Sequence, residues 1–190
     1  MPRYFKGVIC KPWGLWIFVK AYEIHLALFL LYYNSNYLAK YLVDLFALDF
    51  PSNKQHRFLV YYSLWLPFYS FRVFLVLPAS TNSLVLSISS IFPSAAWFER
   101  ENWDMFGLKF LLHKDLRRIL TDYGFQGHPL RKDFPLVGFL EIRYDETSKS
   151  ILLEPVELSQ ELRFFSFVNP WREWFLTNQD LRWDFTETKD

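Results

Sequence analysis

Between Phe92 and Leu136 the chain reads FPSAAWFERENWDMFGLKFLLHKDLRRILTDYGFQGHPLRKDFPL, a run of alternating acids and bases with two histidines. At helical spacing, Trp97, Glu101 and Asp104 share one side, which places two carboxylates together. Such a pair can trade a proton with a substrate or hold a hard cation. The same residues also suit ion pairing. Arg100 lies four positions before Asp104, and Arg117, Arg118, Arg131 and Lys132 follow. From Glu99 to Asp133, seven Lys/Arg face six Asp/Glu. That balance favours a network of mutually satisfied charges over a catalytic pair.

His113 and His128 are 15 residues apart, with no cysteine near and no two-histidine-plus-acid spacing on a helix. The pattern points away from metal. His113 is expected to cap a short helix, and His128 to hydrogen-bond within the turn before Pro129. Nucleophile elbows, dinucleotide fingerprints and phosphate loops are missing from a chain with six glycines and one cysteine, Cys10. A disulfide framework or a cysteine-held zinc or iron–sulfur site within this chain is thereby excluded.

These residues need elements to hold them. Ser94 as N-cap and Gly107 as C-terminal stop predict a helix over Ala95–Phe106, and Leu116, Ile119 and Leu120 predict a second, short one over Lys114–Leu120. Gly124, Gly127, Pro129 and Pro135 keep the next segment irregular. Upstream, Arg57–Leu66 and Phe71–Ala79 read as two strands of an antiparallel hairpin joined through PFYS. Ser83–Phe92 reads as a strand or a short apolar run. Downstream, Gly138–Leu158 reads as two extended runs around the turn DETSKS. The stretch Trp13–Tyr33 carries Lys20, Glu23 and His25 in its middle, so a membrane span is disfavoured. Ile17, Ala21, Ile24, Leu28 and Leu31 instead predict a buried or interface helix.

The 190 residues suffice for one domain with an appendage, and 21% are aromatic. That load argues against disorder and for a partner surface. A net charge of +1 gives no field for nucleic acid. The expected organisation is an N-terminal helical segment over 1–36, read as retained, and an α/β domain with a small mixed or antiparallel sheet over 37–122. An extended, hairpin-bearing C-terminal tail over 123–190 follows, with Trp171, Trp174 and Trp183 among its charges. Residue chemistry alone makes this an aromatic-rich interaction subunit.

ERENWDMFGLKFLLHKDLRRIL then resembles the signature of the thirty-kilodalton subunit of respiratory complex I, the proton-pumping NADH:ubiquinone oxidoreductase. Glu99, Arg100, Glu101, Asp104, Met105, Phe106, His113, Arg117, Ile119 and Leu120 occupy its places. TDYGFQGHPLRKDFPL, with Asp122, His128, Arg131 and Asp133, is similar to the family's next stretch, and EIRYDE more weakly so. The close likeness runs from Phe92 to Pro155.

The resemblance implies an α/β subunit of the peripheral arm, beside the 49 kDa quinone-site subunit and adjacent iron–sulfur subunits. Flavin mononucleotide and the clusters would sit in neighbours, and none in this chain. It implies contact with the membrane only through the complex. The expected location is the matrix side of the mitochondrial inner membrane, or the cytoplasmic face of a bacterial one. Glu101, Asp104, Arg117, Arg118, Arg131 and Asp133 are expected in the charge network. Two other readings stay open at this point: a free-standing enzyme using Glu101 and Asp104, and a subunit anchored in the membrane by 13–33.

Overall fold

A computed structural model describes residues 5–161 apart from 13 and 54, together with 163 and 165. The expected aromatic stretch of the tail, with Trp171, Trp174 and Trp183, lies outside the described residues. The elements in chain order are β1 (Phe5–Lys11), β2 (Gly14–Val19), a 3-10 turn (Ala21–Glu23), α1 (Ile24–Tyr33), β3 (Tyr41–Asp49) and β4 (Phe58–Leu66). A 3-10 turn at Pro67–Tyr69 leads to β5 (Phe71–Ala79), then β6 (Leu84–Leu86), α2 (Ala95–Phe106), β7 (Lys109–Leu111), β8 (Leu140–Asp145) and β9 (Ser150–Pro155).

Five strands form one mixed sheet in the order β1-β2-β5-β4-β3, with β2 and β5 parallel and the other neighbours antiparallel. The α+β class and the β4–β5 hairpin are as the sequence implies, with Phe58 opposite Ala79 and Leu66 opposite Phe71. Alternation along the strands sends Phe58, Val60, Tyr62, Leu64 and Leu66 of β4 to one side, with Val73, Leu75 and Leu77 of β5. There they join Ile24, Leu28 and Leu31 of α1 and Ala95 and Phe106 of α2 in a single core. Each such large side chain contributes about 1.5–3 kcal/mol by leaving water.

Two helix expectations are corrected. Trp13–Tyr33 is not one helix, and the N-terminal segment is not helical throughout. Gly14–Val19 is a strand whose Leu15, Trp16, Ile17 and Phe18 pair with Val73–Val76 of β5. Gly14 is needed there because a Cβ would lie 2.9 Å from the Phe74 ring. Ile17 is buried, as the apolar stripe implies, but as a strand residue. Among the described residues no helix is long and apolar enough to cross a membrane. Lys114–Leu120 is likewise not a helix. The amides of Ile119 and Leu120, which a helix would spend on its own carbonyls, donate to Asp104 instead.

Candidate functional site

The buried residues of α2 are Ala95, Glu99, Asn102, Asp104 and Phe106. Spacings of four, three and four join 95, 99, 102 and 106 into a core-facing stripe that includes an acid and an amide. Asn102 Nδ2 donates to Leu45 O on β3 and to Phe98 O, both at 2.8 Å, which pins the helix to the sheet edge. Glu99 is fully buried and accepts from Ser87 Oγ at 2.6 Å and Ile88 N–H at 2.7 Å. His113 Nε2 lies 3.8 Å from the same carboxylate and 3.3 Å from Ala96 O. His113 therefore packs against α2 and caps no helix of its own. Burial pushes the Glu99 carboxyl above its usual range, opposed in part by Ser87, Ile88 and His113.

That direction gives a test. A carboxyl raised in the folded state stabilises the fold below its ordinary value, near 4.5, and loses that contribution as pH rises through the raised value. Glu99→Gln retains an acceptor for Ile88 N–H and a partner for Ser87 Oγ without the charge. Its melting temperature is expected to gain on wild type as pH rises above about 4.5, in thermal unfolding of the isolated chain. A difference that stays constant as pH rises from about 4.5 contradicts the assignment.

Asp104, fully buried at the other end of α2, is the hub of the following segment. Its Oδ2 accepts from the amides of Ile119 (3.3 Å), Leu120 (2.8 Å) and Thr121 (3.0 Å), and Oδ1 accepts from Thr121 Oγ at 2.7 Å. Arg118 Nη1 lies 3.7 Å from Oδ1, while Nη2 donates to Gly127 O at 3.0 Å. The chain then returns to the end of α2, whose last carbonyls have no partners within the helix. His128 Nδ1 donates to Asp104 O at 3.0 Å, Leu130 N–H to Met105 O at 3.2 Å, and Arg131 Nε to Phe106 O at 2.6 Å. The guanidinium there also suits the negative end of the helix dipole.

The His128 ring thus bonds the helix end, while its carbonyl accepts Arg131 N–H at 3.2 Å within its own turn, and burial holds the ring below the usual imidazole range. Gly107, at φ +76°, closes α2 with its amide on Trp103 O. A Cβ there would meet Arg131 and come within 2.6 Å of His128 Nε2.

A second hub ties this segment to the sheet. Asp49, at the end of β3, receives Arg57 through two bonds of 2.7 and 2.9 Å, and Lys132 N–H at 2.9 Å. Arg57 Nη2 also reaches Asp133 Oδ2 at 2.9 Å. Asp49, Arg57, Asn102 and Ser87 were not anticipated among the site residues. The stripe spacing 95-99-102-106 was the available signal for Asn102 and for the burial of Glu99.

The paired-carboxylate idea is corrected, since Glu101 is exposed and Asp104 is consumed by the 119–121 turn. Arg100 lies over the Trp97 ring at 4.1 Å, and its Nε donates to Ala96 O at 3.3 Å. Arg117 pairs at 3.0 Å with Asp115 on the surface, where such a pair contributes little. Asp122 is exposed. Arg118, Arg131 and Asp133 lie in the network of buried acids and helix-end carbonyls. Among the described residues, no group of three or more His, Cys, Asp or Glu side chains could hold a metal ion. Fixing one irregular segment against a helix and a sheet is what this arrangement does.

Residues 17–140 match the family described as respiratory-chain NADH dehydrogenase, 30 Kd subunit. The chain is 52% identical over 132 residues to "NADH dehydrogenase [ubiquinone] iron-sulfur protein 3" of Beta trigyna, covering 70% of this chain and 68% of that protein. It is 52% identical over 130 residues to an NADH-quinone oxidoreductase subunit of Mesorhizobium japonicum, covering 68% and 64%. A chain of the archaeal membrane-bound sulfane sulfur reductase shares the fold, with a TM-score of 0.61 at 23% identity over 72% of this chain and 80% of that one. With the match spanning β2 to the start of β8 and taking in both hubs, the chain belongs to the 30 kDa subunit family of respiratory-chain NADH dehydrogenase and is one subunit of that multi-subunit enzyme.

Proposed function

We propose that the chain is a cofactor-free scaffold of the peripheral arm, docked on the 49 kDa quinone-site subunit and adjacent iron–sulfur subunits through its C-terminal hairpin. The observation that carries this is the two-facedness of β8–β9. Cross-strand pairing puts Leu140, Ile142 and Tyr144 on one face with Leu153 and Ile151, and these are 55–69% exposed. The other face carries Glu141 and an Arg143–Glu154 pair at 2.9 Å. A two-stranded ribbon is at best marginally stable alone, and a wholly apolar exposed face needs a cover.

One cysteine leaves this chain short of a four-thiolate set, whatever its relatives are called, so the clusters belong to the neighbours, and this reading puts flavin mononucleotide there as well. The internally saturated charge network keeps the shape of the quinone module. This reading puts the chain on the matrix side of the mitochondrial inner membrane, or on the cytoplasmic face in bacteria, held there by its complex.

Ile142→Glu with Leu153→Glu is expected to lower the chain's share of the NADH-oxidising particle on native electrophoresis at least ten-fold. The melting temperature of the isolated chain should stay within about 2 °C of wild type, because the hairpin lies outside the core. Full assembly of the double variant would overturn the hairpin's role.

A further inference from the structure

The outer side of α1 offers a second docking surface. Tyr22 of the preceding 3-10 turn and Leu26, Phe29 and Tyr33 of α1 follow one another at spacings of four, three and four, and are 66%, 44%, 47% and 64% exposed. That alternation is the seam along which two helices interlock side chains. The opposite stripe, with Ile24, Leu28 and Leu31, is already buried in the core, so α1 is apolar on both sides.

Beside the seam runs a trough of about 620 Å³ between Leu26 and Phe29 on one wall and Leu86 and Leu112 on the other. Leu112 is 80% exposed at φ +64°. A bulky residue in that left-handed conformation is strained, and such strain clusters at functional surfaces. No Lys, Arg, Asp or Glu lines the trough, and its only histidine, His25, bonds Ser90 Oγ at 3.2 Å. An uncharged floor offers nothing to a phospholipid headgroup or a nucleic acid and complements an uncharged stripe of side chains.

We infer that α1 receives an amphipathic helix of a neighbouring subunit, laid along Tyr22, Leu26, Phe29 and Tyr33, with one apolar side chain seated in the trough beside Leu112. This contact is separate from the hairpin's and rests on the chain's place in the complex.

The test incorporates p-benzoylphenylalanine at Phe29 of the full-length chain and irradiates the assembled complex. The expected product joins Phe29 to one other subunit, in a peptide whose apolar residues recur at three- and four-residue spacing. Its yield should exceed ten-fold that from the same probe at exposed Asn82. Cross-links chiefly to lipid, to residues 166–190 of this chain or to a peptide without that spacing overturn the inference, as does a yield no greater than the control.

If the bulky probe blocks assembly, Phe29→Cys in a Cys10→Ser background replaces it. A maleimide should label Phe29→Cys at least ten-fold more slowly than Asn82→Cys in the intact particle, and equal rates overturn the docking. Wild-type chain absent from any NADH-oxidising particle would defeat the membership itself. Wild-type chain in the particle with position 29 open would defeat only this inference.

Discussion

Asp104→Ala is expected to destabilise the isolated chain by about 3–5 kcal/mol, read as a lowered denaturant midpoint at unchanged slope. The carboxylate is fully buried and accepts from three successive amides and one hydroxyl, with Arg118 alongside. Removing it leaves those donors in a part-buried turn without acceptors, and each orphan costs about 1–3 kcal/mol before relaxation and water recover some of it. Asp104→Asn keeps one acceptor oxygen and should lose about half as much. The loss is a large part of the roughly 5–15 kcal/mol that holds a domain together.

The variant should therefore be depleted from the assembled complex, while particles that do form keep the wild-type quinone KM. A fully assembled particle with an altered KM would contradict the scaffold role. The pH dependence has a definite sign. Burial alone would push the Asp104 carboxyl up, but the Thr121 hydroxyl and the amides of Leu120, Thr121 and Ile119 more than offset it and hold it below 3.8. Its contribution is present above that ordinary value and is lost as pH falls through the lowered one. The gap between wild type and Asp104→Ala should close under acid.

Which parts of this were legible in the sequence follows from how local each signal was. The α2 boundaries were readable because Gly107 must take a positive φ, and β4 and β5 because Val, Tyr and Phe crowd two short runs about a tight turn. Ser94 stands at the N-cap position but makes no side-chain cap bond, so its residue type marked the boundary without supplying the expected contact.

The Gly14–Val19 strand was hidden because its apolar residues also fit a helical stripe with α1, and only parallel pairing with residues 73–76 separates the two readings. The charge network was legible in kind but not in partners. Arg100 and Asp104 stand at ideal helical spacing, yet Asp104 satisfies itself on a turn 15 to 17 residues onward. Asp49 and Arg57 lie far outside the charged stretch and meet Lys132 and Asp133 only through the fold.

The second large effect is expected at that sheet end. Arg57→Ala strips the two-point partner from Asp49, whose side chain is 1% exposed, and leaves it Lys132 N–H alone. Breaking a buried pair from one side costs about 3–5 kcal/mol, more than the intact pair contributes over an apolar replacement. Removing both members should therefore cost less than the sum of the single losses, a coupling that a double-mutant cycle with Asp49→Ala measures directly. Arg57→Lys keeps the charge without the planar fork and should recover only part of the loss.

In wild type the Arg57 guanidinium holds the Asp49 carboxyl below its usual range, against burial, with the Lys132 amide helping. Once Arg57 is gone, the largest cause of that lowering is lost while burial remains, so the carboxyl moves up from its wild-type position. The deficit of Arg57→Ala should therefore be greatest near neutral pH and shrink under acid, where protonation relieves the buried charge. Because the lost bonds tie Arg57 to Asp49 at the end of β3 and to Asp133, hydrogen exchange should quicken first in 128–134, ahead of the β4–β5 core. Uniform exchange across both regions would show that Arg57 supports the whole fold and not this one junction.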